Sequence, residues 1–308
     1  MVAIDMKAAS VWMVDVASGS TMASIPTGAG SDGDRFSPRV VAHQRQPMRT
    51  LQAVWLRRRD ARWARSSIVV ALLVALTAVG TNARRLSSQR RMFVEPNAQY
   101  DGRYTFVRLR YTVYRRSGWE FDYPAMERNF MTIVKDLTKL RPHLTESNVH
   151  DMDDPELAKY SIAYLSEPGF WLPNQSEAEG LRNWILKGGF LIVDDFYGEQ
   201  WQNFERSMKM VLPEGRIVPL DVSHPIFDSF FHVTSLAGMS HPDNNYWKAQ
   251  YLGIFENNDP KARLMVIINY NNDIGDYMEW SGQGWYPVNL SNDAYKFATN
   301  YLVYALTH

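Results

Sequence analysis

The chain has 308 residues, 45% of them hydrophobic and 13% aromatic, enough to bury a sizeable core and inconsistent with a wholly disordered polypeptide. It contains no cysteine, which excludes disulfides, zinc–thiolate sites, iron–sulfur clusters, thiol catalysis and a lipid-modified N-terminal cysteine. Its 33 basic and 33 acidic residues cancel unevenly: residues 1–91 carry 14 Lys/Arg against 5 Asp/Glu, and residues 92–308 carry 19 against 28, so the larger part is too acidic to hold nucleic acid by neutralising phosphates.

A compositional break separates leader from body, since all 16 tyrosines lie beyond residue 99. Residues 1–50 are rich in Ser, Gly, Ala and Thr without a sustained period, and residues 1–65 read as a disordered, basic leader, with Met48 as an alternative start. Arg57, Arg58, Arg59, Arg62 and Arg65 then precede Ser66–Ala83, 18 residues without a charge. Such a segment is a membrane anchor or signal peptide; at 1.5 Å per residue it reaches about 27 Å, just short of a ~30 Å hydrocarbon core. The heavier positive flank comes first, which predicts a single-pass protein with its acidic domain extracytoplasmic. Cleavage near Ala83 would instead export the domain to the periplasm. Residues 84–99 read as a linker and 100–308 as one folded domain.

Within that domain, alternation over Tyr104–Tyr114 predicts a strand, with Thr105, Val107, Leu109, Tyr111 and Val113 on one face. Pro124 opens a helix and Pro142 closes it. A short strand at Ser161–Leu165 follows, then a helix capped by Ser176 and ended by Gly188–Gly189. Phe190–Val193 is an unbroken apolar run, the mark of a strand buried on both faces of a parallel sheet. A helix near Trp201–Leu212, a strand at Arg216–Leu220, a hairpin of Tyr251–Phe255 with Leu264–Asn269 and a closing helix at Asn292–Leu306 complete the pattern. Strands alternating with helices predict an α/β domain with a three-layer, mostly parallel, flavodoxin-like sheet.

In such a sheet, ligands bind beyond the carboxyl ends of the strands. Phe190–Val193 runs into Asp194 and Asp195, adjacent carboxylates that repel unless a cation, a hydrogen-bond donor or a retained proton offsets them; a hard divalent cation such as Mg²⁺ or Ca²⁺ suits the pair. These two and His224, in the segment Asp221–Phe227, are the candidate catalytic residues. Glu167 and Trp171 after the second predicted strand, Tyr197 beside the aspartates, and Asn272, Asp273 and Asp276 after the last strand are the candidate ligand contacts. All of these residue types also serve as ordinary caps, turns and core covers. There is no Walker loop, GxGxxG or GxSxG elbow.

The segments YLSEPGFW at Tyr164–Trp171, LRNWILKGGFLIVDDFYG at Leu181–Gly198, LDVSHPIF at Leu220–Phe227 and YNNDIGDYMEW at Tyr270–Trp280 resemble an uncharacterised bacterial family in the class I glutamine-amidotransferase-like superfamily. The resemblance implies a flavodoxin-like fold, behind a membrane segment in many members. The superfamily's amidotransferases attack with a Cys on a strand-to-helix elbow, backed by His and Glu; this chain has no Cys, so that activity is excluded. The expectation is an extracytoplasmic module that binds a small molecule, a glycan or an envelope protein. The alternative is a carboxylate- or metal-dependent hydrolase acting on glycans, and a third reading is a purely structural envelope component.

Overall fold

The computed structural model describes residues 94–112 and 118–308. The leader, the uncharged run 66–83, most of the linker and the end of the first expected strand (Val113, Tyr114) lie outside the described residues. Among the described residues no helix is long and apolar enough to cross a membrane.

Seven strands form one sheet: β1 (Val107–Arg110), β2 (Asn148–Asp151), β3 (Ile162–Ser166), β4 (Phe190–Asp194), β5 (Ile217–Pro219), β6 (Gln250–Phe255) and β7 (Leu264–Tyr270). Their order is β2-β1-β3-β4-β7-β6-β5; the first five pair in parallel, while β6 runs antiparallel to both β7 and β5. Helices α1 (Ala125–Leu137), α2 (Gln175–Leu186), α3 (Gln200–Val211), α4 (Ile274–Glu279) and α5 (Val288–Thr307) complete the fold. The domain is therefore α/β, with a doubly wound, flavodoxin-like parallel half extended by a hairpin edge.

The central strands are apolar on both sides because each side meets helices. In β4, Phe190 and Ile192 join a core shared with α1, α4 and α5, whereas Leu191 and Val193 join a second core shared with α2 and α3. β3 divides likewise, Ile162 and Tyr164 one way and Ala163 and Leu165 the other. Burying apolar area on both faces, at about 25 cal/mol per Å², fixes the register of these strands, since a one-residue slip would exchange the two sets.

Three local outcomes differ from the sequence reading. β2 was not expected, because three of the four residues in its NVHD sequence are polar; it forms beside residues 97–98, with Ala98 N donating to Asn148 Oδ1 at 2.8 Å and Val149 N to Asn97 Oδ1 at 2.8 Å. α4 was not expected either. And α2 is capped by Asn174 rather than Ser176: Glu177 N donates to Asn174 Oδ1 at 3.0 Å while Asn174 N donates to Glu177 Oε2 at 2.9 Å, a reciprocal box. Ser176 instead donates to Asp153 at 2.7 Å. Urea denaturation should accordingly show Asn174→Ala losing about 1 kcal/mol and Ser176→Ala under about 0.5 kcal/mol; the reverse ranking would reinstate Ser176 as the cap.

Candidate functional site

Four strands deliver acidic residues to one edge of the sheet. β3 leads to Ser166 and Glu167, β4 ends in Asp194 followed by Asp195, and β7 leads through Asn271 and Asn272 to Asp273, the N-cap of α4, which carries Asp276 and Glu279. The segment after β1 is brought in by Arg108, which has no exposed surface. Its Nη1 donates to Trp119 O at 2.8 Å and to Phe121 O at 2.7 Å, its Nε donates to Glu127 Oε1 at 2.5 Å, and its guanidinium lies 5.1 Å from the centre of the Tyr164 ring. Asp122 follows directly. Asp122, Glu167 and Asp195 all adopt left-handed backbone, with φ of 62°, 51° and 64°. Side chains other than glycine occupy that region at an energetic disadvantage, and three such residues meeting at one crevice is the distribution expected of a functional site.

The two adjacent aspartates have different surroundings. Asp194 is fully buried: its Oδ2 accepts from Tyr164 Oη at 2.7 Å and Gly275 N at 3.0 Å, and its Oδ1 from Asn269 Nδ2 at 3.0 Å. Burial pushes its carboxyl up to about 6, with these donors holding it from rising further. Asp195 turns the other way. Its Oδ2 accepts from Ser166 Oγ at 3.1 Å, and its Oδ1 lies 3.1 Å from Nε2 of His241, which is itself 4.0 Å from Asp273 Oδ2. His241 Nδ1 accepts the backbone N–H of Asp243 at 3.2 Å, so the neutral ring carries its proton on Nε2 and donates it to Asp195.

A cavity of about 390 Å³ opens over this edge, within the size range of small-molecule sites. Its lining includes Asp122, Glu167, Asp195, Asp243, Asp273, Asp276 and Glu279 with His241, walled by Phe121, Trp280, Trp285 and Tyr286; no Lys or Arg is among the described lining residues. Burial raises the carboxyls of Asp122 and Asp273 well above the usual range, and the charge of Asp195 adds to both. Burial likewise lifts Glu167, to about 9, with Asp195 and Asp243 contributing. Asp276 and Glu279 are also raised, by burial first. Two sets of potential cation ligands emerge: Asp195, His241 and Asp273, all buried, and Asp122, Asp276 and Glu279; within each set the ligand atoms lie within 4.8 Å of one another.

Residues 105–306 match the domain of unknown function DUF4159. The chain belongs to the DUF4159 family. No curated protein matches it.

The DUF4159 fold gathers some of the sequence candidates and separates others. Asp195, Glu167, Asp273 and Asp276 line the cavity, and Tyr197 packs edge-on against His241 with ring centres 4.4 Å apart. Asp194 lies beneath the cavity with its oxygens occupied. Asn272 is fully buried and donates to Tyr251 Oη at 3.3 Å. Trp171 is fully buried in the α2–α3 core. His224 caps the short helical turn Pro225–Phe227, its Nδ1 accepting Ile226 N at 3.2 Å, and its ring packs on Phe255 and Tyr304, so it does not face the cavity. Sequence reasoning missed His241, Asp243 and Glu279 as site residues. One signal was available: the tripeptide Ser-His-Pro occurs twice, at 223–225 and 240–242, and only the second copy reaches the site. Arg108→Met should lower stability by about 3–5 kcal/mol, because Glu127 is left buried without its cation, and adding Glu127→Leu should recover part of that loss. Equal stability of wild type and the single variant in urea denaturation would contradict this role.

Proposed function

We propose that this DUF4159 domain is a cation-dependent binding module, in which a hard divalent cation sits between Asp195 and Asp273 and an organic ligand fills the rest of the cavity. The observation that carries this reading is the convergence of Asp195 and Asp273, from two different strand ends, with their ligand atoms within 4.8 Å of each other at the wall of an open cavity. Two oxygens each about 2.3–2.6 Å from one Ca²⁺ lie no more than about 5 Å apart, so the pair is at bridging distance. His241 supports the pair as a donor rather than as a ligand: metal-bound histidines direct their second ring nitrogen to an acceptor, whereas Nδ1 here receives an N–H. With carboxylates as the principal ligands, Ca²⁺, Mg²⁺ or Mn²⁺ fits better than Zn²⁺ or Cu²⁺.

A hydrolase reading draws on the same pair. Asp273, held protonated by burial beside Asp195, is placed to give a proton, and Asp195 to act as base or nucleophile. Retention of the fold without a Cys also fits a glutamine-amidotransferase-like scaffold that has lost its nucleophile: Asp195, directly after β4 in left-handed backbone, occupies the elbow position. The basic cluster and uncharged run 57–83 support presentation of the domain outside the cytoplasmic membrane.

Calorimetric titration of the protein with Ca²⁺, Mg²⁺ and Mn²⁺ should show one saturable site near Asp195. Asp195→Asn should weaken it at least tenfold, which is about 1.4 kcal/mol, and His241→Gln should weaken it less. Greater loss with His241→Gln would make the imidazole a ligand, and no binding of any divalent cation would remove the proposal.

The raised carboxyls give a second test. A group whose folded pKa exceeds its unfolded value stabilises the fold fully below the unfolded value, and this contribution disappears as pH rises through the folded value. Asp194, up from 3.8 to about 6, and Glu167, up from 4.5 to about 9, therefore make the cation-free protein less stable as pH rises from about 4 to 9. The melting temperature without cation should fall across that window, Glu167→Gln should flatten its upper part, and saturating Ca²⁺ should offset the fall at high pH. A melting temperature that climbs toward pH 9 without cation would contradict the account.

A further inference from the structure

We infer that the half of the cavity built by Asp122, Asp276 and Glu279 is a subsite for an organic cation, an alkylammonium or guanidinium group carried by the ligand. This deepens the preceding reading, resting on it for the cavity as a ligand site, but its observations come from different residues. Asp122 is more than nine-tenths buried, lines the cavity, and its Oδ2 has no hydrogen-bond partner. The carboxyl's side-chain hydrogen-bond partner is another acid, Glu279, and such a pair needs a shared proton or a donor brought by a ligand. Ideal Cβ geometry at Gly275 would fall 2.6 Å from the Asp122 Oδ2 oxygen and 2.7 Å from Tyr164 Oη, so only glycine there lets the Asp122 carboxyl sit against the start of α4. Asp276 is the second anchor, its Oδ2 accepting from Tyr286 Oη at 2.5 Å.

The walls decide between an organic and an inorganic occupant. Trp280 and Trp285 meet edge to face with ring centres 5.6 Å apart, and Trp285 is 71% exposed, an unusual place for an indole in a free-standing surface. Aromatic faces beside carboxylates offer nothing to a hydrated metal ion. They do suit an ammonium or guanidinium, whose charge pairs with the acids and whose methylene groups and positive skirt pack on the rings. Volume agrees: about 390 Å³ is roughly a dozen water volumes, far more than one dehydrated cation between Asp195 and Asp273 needs.

The test uses the whole protein, a simple amine series (n-butylamine, cadaverine, agmatine) and the neutral alcohol n-pentanol, read by tryptophan fluorescence with and without Ca²⁺. Saturable binding of the amines, with n-pentanol at least about tenfold weaker, is expected. Asp122→Asn should weaken amine binding about tenfold and Ca²⁺ binding at Asp195 by a smaller factor, because the two carboxyls interact, and Trp285→Ala, a surface change that does not threaten folding, should weaken amine binding while leaving Ca²⁺ affinity within about twofold. Equal binding of n-pentanol, no effect of either variant, or no saturable amine binding up to about 10 mM would overturn the subsite. Binding of a second Ca²⁺ lost in Asp122→Asn, in place of amine binding, would also overturn it and make this half a second metal site. Amine binding without any divalent-cation binding would sustain the subsite and reject the metal reading, so the two failures are separable.

Discussion

Negative charge placed where water scarcely reaches organises the carboxyl edge of this sheet, and each carboxylate there needs a donor, a cation or a proton. Asp194 meets the requirement with donors. Its three hydrogen bonds come from Tyr164 in β3, Asn269 in β7 and the backbone of Gly275 in α4, and Asn269 is held in turn by Tyr301 Oη of α5 at 2.8 Å. One buried carboxylate thus ties the end of β4 to two neighbouring strands and two helices. Asp195, the next residue, is turned away from that set by its left-handed backbone and faces the cavity. Structural and site roles are divided between adjacent residues by a single backbone torsion.

The requirement then grows across the cavity, where Asp122, Glu167, Asp273, Asp276 and Glu279 have fewer internal donors than Asp194 and burial raises their carboxyls above the usual range. The rigid element below them is the two-faced core. Helices on both sides of β3, β4 and β7 leave those strands no freedom to shift, and Arg108, itself sealed between Glu127 and two backbone carbonyls, fixes the Asp122 segment to the same frame. A crevice so assembled is pre-formed, and under the proposed reading an incoming cation would exchange there for protons.

Much of the fold was legible because burial on two faces writes itself into sequence: Phe190–Val193 and Leu264–Asn269 read as strands and form them, and Asp195 after the end of β4 lines the cavity. What was not legible depends on tertiary contacts. β2 is mostly polar, and residues 97–98 hydrogen-bond to its Asn148 side chain and Val149 backbone. Asn174 outcompetes Ser176 as a cap because only Asn174 stands three residues before Glu177, while Ser176 finds Asp153. Two Ser-His-Pro segments share a local device, Nδ1 accepting the N–H two residues on, and differ only in what the loop sets opposite Nε2: Asp195 for His241, whereas the ring of His224 packs against Phe255 and Tyr304. Sequence singled out the copy that lies away from the cavity because the difference lies in a fold contact, not in the tripeptide.

The central claim is that cation and protons compete for the same carboxylates. Calorimetric titration with Ca²⁺ at neutral pH in buffers of different ionisation enthalpy measures it directly, because the buffer dependence of the heat counts protons released. Release of about one proton or more per bound Ca²⁺, diminished in Asp273→Asn, is the predicted result. Binding with no proton release, or no binding at any pH, would contradict the account.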